Sequence, residues 1–261
     1  MWVPAVRVAM TTSEQKGSKV SQAANDPLVD SESKQSCRAT GMIAIWDIWT
    51  RLFHWSLAFT VLFLFVSGET GYNFYEWHRL AGEFVLMLLV FRLLWGLIGS
   101  SNVRLSALFQ NPLKAMHHLA GLFRRKVDDE RGHNAAGSCA VLILISLLLV
   151  QALTGLFIAD EDELIEGAFY GQFGTDISYF LYDIHHTNAH ILMVLAGIHV
   201  AMVLVYWLIA GKHLITPMIS GRMRWTSDNA IPEVKFQRWW IGAVCLFVVV
   251  LGFVWLLGWS L

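Results

Sequence analysis

Four histidines, His54, His78, His185 and His199, lie inside or at the mouth of long apolar segments of this 261-residue chain. An ionisable side chain at membrane depth is costly, so its presence points to function. His185 and His199 are 14 residues apart. Fourteen helical steps of about 100° return to within about 40° of the same face, roughly 21 Å further along. One helix thus presents two imidazoles on one side, near opposite faces of a bilayer. That is the geometry for holding two haems stacked across a membrane.

The elements that must position these rings are membrane spans. The chain is 56% hydrophobic and only 15% charged, with a mean hydropathy of +0.51, which departs from soluble chains in both directions. Apolar runs near 46–67, 78–98, 137–158, 187–210 and 239–259 are long enough to span, because a helix satisfies every backbone polar group within the segment. Trp46, Trp49, Trp55, Trp77, Trp95, Trp239 and Trp240 stand at segment ends, as in an aromatic belt. The three cysteines, Cys37, Cys139 and Cys245, are scattered, and no C-x-x-C-H run is present, which argues against covalent haem attachment and iron–sulfur clusters. Residues 1–41 are polar and read as a disordered cytoplasmic tail, with Met42 as an alternative start. Residues 42–225 read as the four-span domain, and 226–261 as a linker and fifth span.

The loops set a topology. Arg104, Lys114, Arg124, Arg125, Lys126 and Arg131 fall between spans two and three, and Lys212, Arg222, Arg224, Lys235 and Arg238 follow span four. Residues 158–184 carry seven carboxylates and no Lys or Arg. The excess of basic residues in inner loops predicts a cytoplasmic N-terminus and a periplasmic C-terminus in a bacterial inner membrane.

Orientation gives each histidine a depth. His54 and His199 fall on the inner side, His78 and His185 on the outer. Matching depths pairs His54 with His199 and His78 with His185, each pair giving an iron with two imidazole ligands and no position free for a substrate. Arg92, 14 residues after His78, reaches the inner level and is expected to serve a haem propionate. Arg51 and Arg79 are candidates for the same role, against plain interface snorkelling. Gly82, at i+4 from His78, leaves room for a porphyrin edge. His186 and His190 form an external i, i+4 pair that suits an interfacial polar cluster, a metal or a quinone oxygen; either is an alternative to His185, but only His185 shares the face of His199. His117, His118, His133 and His213 fall in inner loops and read as solvated.

At these residues the chain resembles the bacterial cytochrome b561 family, in particular the nickel-hydrogenase b-type cytochrome group. The resemblance rests on WDIWTRLFHW around His54, HRLAGEFVLMLLVFRLLWGLIGS from His78, GHNAAGSCAVL, ALTGLFIADEDELIEG, DIHHTNAH…GIHV and ITPMISGRMR, in that order, over about residues 44–225. It implies a four-helix core with two b haems and electron exchange between membrane quinone and a partner redox protein. It carries the ligand roles onto His54, His78, His185 and His199. His186 stands where the family often has Glu, and Ala135 where it often has Pro.

The expected fold is an all-α membrane protein, a four-helix transmembrane bundle binding two b-type haems plus a fifth C-terminal helix. The expected function is electron transfer between the quinone pool and a periplasmic redox protein such as a c-type cytochrome. The acidic stretch 158–184 would steer a basic partner. One alternative is the cytochrome b subunit of a nickel-iron hydrogenase or related dehydrogenase. A superoxide oxidase, an activity of the wider family, fits less well, because the acidic outer loops would repel an anion. In another class, a haem-free anchor or transporter remains, though no repeat or broken helix supports it. No phosphate-binding, metalloprotease or nucleophile-elbow motif is present. GSSN at 99–102 is too generic to bind phosphate, and nothing points to nucleic acid.

Overall fold

A computed structural model describes residues 41–70, 74–109, 135–160, 165–225 and 234–258. The tail, the inner loop with His117, His118 and His133, and most of the linker before the fifth span lie outside the described residues. The elements in chain order are β1 (Gly41–Ala44), α1 (Ile48–Glu69), α2 (Tyr75–Ile98), α3 (Leu105–Leu108), α4 (Ala135–Gly155), β2 (Ala159–Asp160), β3 (Ile165–Glu166), α5 (Thr175–Ala210), α6 (Ile215–Ser220), β4 (Arg222–Trp225) and α7 (Trp239–Leu257).

Among the described residues, five helices are long and apolar enough to cross a membrane: α1, α2, α4, α5 and α7. Their outward faces are apolar, with Phe59 66%, Leu208 74% and Trp255 84% exposed. Water would not tolerate so much contiguous apolar surface; lipid does. α2 is the helix most enclosed by its neighbours. It packs on α1, α4 and α7, while α5 packs along α4 and against β2.

The fourth span differs from its expected start. The sequence pattern placed it at 187–210, but α5 begins at Thr175 and runs 36 residues. Hydropathy marks only the membrane portion, and Asp176 and Asp183 therefore lie on a helix rather than in a loop. The rest of the acidic stretch includes a two-residue antiparallel ladder, β2 with β3.

Local chemistry sets the ends. Asp47 caps α1 by accepting from the Thr50 amide at 2.7 Å, as an N-cap carboxylate does. Gly211 ends α5 in the left-handed region, φ +64°, where glycine carries no Cβ penalty. The ends assigned to the inner side meet each other. β1 pairs antiparallel with β4. Asn102 donates to the Ile45 carbonyl, the Ser101 amide to Lys235 O at 3.0 Å, and Gln237 Nε2 to Ile98 O at 2.8 Å. The GSSN turn is thus a polar knot joining α2, β1 and the approach to α7.

Candidate functional site

His78, on the first turn of α2, and His185, on α5, line one cavity of about 320 Å³. Apolar side chains such as Val61, Leu64, Val85 and Leu148 form much of its wall. The two rings are held alike. Ser67 Oγ lies 2.9 Å from His78 Nδ1, and Thr154 Oγ1 lies 3.1 Å from His185 Nδ1. In both cases the next residue is a glycine under the ring. A Cβ on Gly68 would stand 3.3 Å from His78 Cε1, and one on Gly155 3.0 Å from His185 Cε1. Gly82 lines the same cavity, and a Cβ there would meet nothing within 4 Å.

Arg79 also lines this cavity. Its guanidinium is shared between Glu76 at 3.0 Å and the buried Glu83 at 2.8 Å. His186 and His190 line the cavity too, both exposed. The His186 ring lies 4.6 Å from that of Tyr182, and His190 Nδ1 donates to the His186 carbonyl at 2.8 Å. Only His185 of these neighbours rests on a span glycine and a span hydroxyl.

His54 and His199 lie within electrostatic reach of one another. The His54 ring stands edge-on to Trp55, centroids 5.3 Å apart. Its Nδ1 is buried with no hydrogen-bond partner among the described residues. Arg51 and Trp55, beside it on α1, hold α6: Arg51 Nη1 donates to Ile219 O at 2.6 Å and Trp55 Nε1 to Met218 O at 3.1 Å. Gly221, at φ +77°, makes room for this, since a Cβ there would stand 3.2 Å from Arg51 Nε.

Arg92 has a different setting from the one its spacing suggested. It is buried, its Nη2 donates to Val103 O at 3.0 Å, and its Nη1 lies toward Gly96 and Leu105. Asp47 lies within electrostatic reach and accepts from Trp95 Nε1 at 3.2 Å. The guanidinium therefore turns to the loop after α2. Depth along a helix fixes level but not which neighbour a long side chain chooses.

Between the two histidine levels the helices close. Val85 and Leu89 of α2, Ile145 and Leu148 of α4 and Leu192 of α5 form one buried cluster, with Val61 of α1 packed against it. Leu192 is seven residues from both His185 and His199, Val85 seven from His78 and Val61 seven from His54. An apolar layer thus lies midway between the pairs.

The donor set fits a porphyrin iron. Among the described residues no three His, Cys, Asp or Glu side chains gather as ligands for a bare metal ion. Two imidazoles lining one largely apolar cavity would suit the two axial positions that a haem iron leaves to the protein. The bare helix surface at Gly82 and the flat glycine supports under both rings suit a macrocycle edge.

The sequence model of prokaryotic cytochrome b561 matches residues 45–221. The chain belongs to the prokaryotic cytochrome b561 family. It is also 24% identical, over 211 residues, to a probable Ni/Fe-hydrogenase B-type cytochrome subunit of Rhizobium leguminosarum bv. viciae, covering 69% of this chain and 87% of that protein. No solved structure matches. As a member of this family the protein is a multi-pass membrane b-type cytochrome that binds haem and works in electron transfer. Ser67, Gly68, Thr154 and Gly155 escaped the sequence reading. Their signal was a hydroxyl–glycine dipeptide near the same end of two spans.

Proposed function

We propose that the chain carries two b haems, one between His78 and His185 and one between His54 and His199, and conducts electrons between membrane quinone and a periplasmic redox protein. The observation that carries this reading is the cavity shared by His78 and His185, with each ring seated on a hydroxyl and a glycine. When bound, each haem supplies one-electron redox chemistry. The protein's part is to hold the axial imidazoles at two levels roughly 21 Å apart along α5 and to keep water out of the layer around Leu192. Arg51, Arg79, Gly82 and Arg92 are proposed neighbours of the haems. Of these, Arg79 and Gly82 border the outer cavity, while Arg92 serves the loop first. The membrane is the bacterial inner membrane, with the basic ends cytoplasmic.

The test is the haem-to-protein ratio of the purified protein, by pyridine haemochromogen, in wild type, His185→Ala and His186→Ala. Two b haems in wild type, with one lost in His185→Ala and none in His186→Ala, is the expected result. A haem-free wild type overturns the reading. Loss in His186→Ala alone moves the ligand by one residue.

The printed name of the relative favours a second reading of the partner, as a hydrogenase. A gene for a hydrogenase large subunit beside this one, and co-purification of its product with the membrane protein, would select it.

A further inference from the structure

We infer that Ser67 and Thr154 are positioning residues for the outer imidazoles: each hydroxyl accepts the Nδ1–H of its histidine and leaves that ring's Nε2 lone pair for an iron in the cavity. The inference rests on the proposed ligand roles of His78 and His185. A hydroxyl has one hydrogen and two acceptor lone pairs. Thr154 Oγ1 stands 2.8 Å from Val150 O and 3.1 Å from Gln151 O, and Ser67 Oγ stands 3.3 Å from Leu64 O. A carbonyl only accepts, so each hydroxyl hydrogen points back along its own helix. Its lone pair then faces the ring, and the ring nitrogen must be the donor.

Two separate parts of the chain reach this arrangement independently. Ser67–Gly68 ends α1 and serves a ring on α2; Thr154–Gly155 ends α4 and serves a ring on α5. The glycine fixes where the ring lies and the hydroxyl fixes which nitrogen carries the proton. The inner site lacks this feature at His54, whose Nδ1 has no partner among the described residues. A hydrogen bond to the remote nitrogen makes the ligand more basic and favours the ferric iron. Removing it therefore raises the potential of the outer haem and leaves the inner one alone.

The experiment is a redox titration of the haem absorbance bands in purified, haem-loaded protein: wild type, Ser67→Ala, Ser67→Thr, Thr154→Val and Thr154→Ser. The expected result is an upward shift of one of the two waves in Ser67→Ala and Thr154→Val, with the other wave unmoved. Both conservative variants return to wild type. Half the haem lost in Thr154→Val but kept in Thr154→Ser also supports the role, since valine keeps threonine's shape without its hydroxyl. Unmoved waves in both hydroxyl-free variants, or equal haem loss in Thr154→Val and Thr154→Ser, overturn it. A wild type that binds no haem overturns the underlying ligand assignment instead.

Discussion

At the scale of single residues, the cavity of His78 and His185 is built from contacts whose tolerance is small. Close packing transmits a displaced methyl to whatever it touches. Gly155→Ala would place a methyl carbon 3.0 Å from His185 Cε1, and Gly68→Ala one 3.3 Å from His78 Cε1. The first is the tighter, so the His185 ring must move further. We expect the haem-to-protein ratio to fall in Gly155→Ala and to hold near wild type in Gly68→Ala; equal ratios would mean that the rings have slack. Arg92 teaches the converse lesson. Its position along α2 suits the inner level; its Nη2 donates to Val103 O, while its Nη1 is buried with no hydrogen-bond partner among the described residues.

At the scale of elements, helix length and helix contact say different things. α5 has 36 residues, about 54 Å of helix at 1.5 Å per residue, against a hydrocarbon core of about 30 Å. The excess carries Asp176 and Asp183 beyond the apolar segment, ahead of His185. α7 contains no histidine and packs on α2 and α1. Its fit there depends on Gly242, since a Cβ at that position would run into the Trp49 indole. That indole also donates to Trp239 O at 2.7 Å. Gly242→Leu is therefore expected to cost about 1–3 kcal/mol through overpacking. The Tm of the purified protein should drop while its haem content stays at the wild-type value, and a loss of haem would show that α7 supports the haem sites directly.

At the scale of the whole molecule, charge is segregated by end. The ends joined by β1, β4 and the GSSN knot carry Arg51, Arg104, Arg222, Arg224 and Arg238. The opposite end carries Glu69, Glu76, Glu166, Asp176 and Asp183. A field of one sign steers a partner of the other sign and is screened over about 8 Å at physiological salt. If the partner is a basic c-type cytochrome, the second-order rate of electron exchange with it should fall as salt is raised in stopped-flow measurements. A rate indifferent to salt would remove the acidic end from the docking surface. Between the two ends, the layer around Leu192 includes Val61, Val85 and Leu192, each seven residues from a histidine on its own helix, together with Leu89 of α2 and Ile145 and Leu148 of α4.

Much of this was legible along the chain because the relevant quantities are one-dimensional. Hydropathy marked five spans, and among the described residues five apolar helices are long enough to cross a membrane. The 3.6-residue period put His185 and His199 on one face, and depth paired His78 with His185, which line one cavity. The dipeptides Ser67–Gly68 and Thr154–Gly155 had no meaning until α2 and α5 were packed beside them. The same holds for the pairing of β1 with β4, the GSSN knot and the turn of Arg92. A span's identity needs only its own residues, since its hydrogen bonds are internal and its length is matched to lipid. The partner of a polar side chain is decided by whichever group another segment brings within about 3 Å, and only the tertiary structure supplies that neighbour.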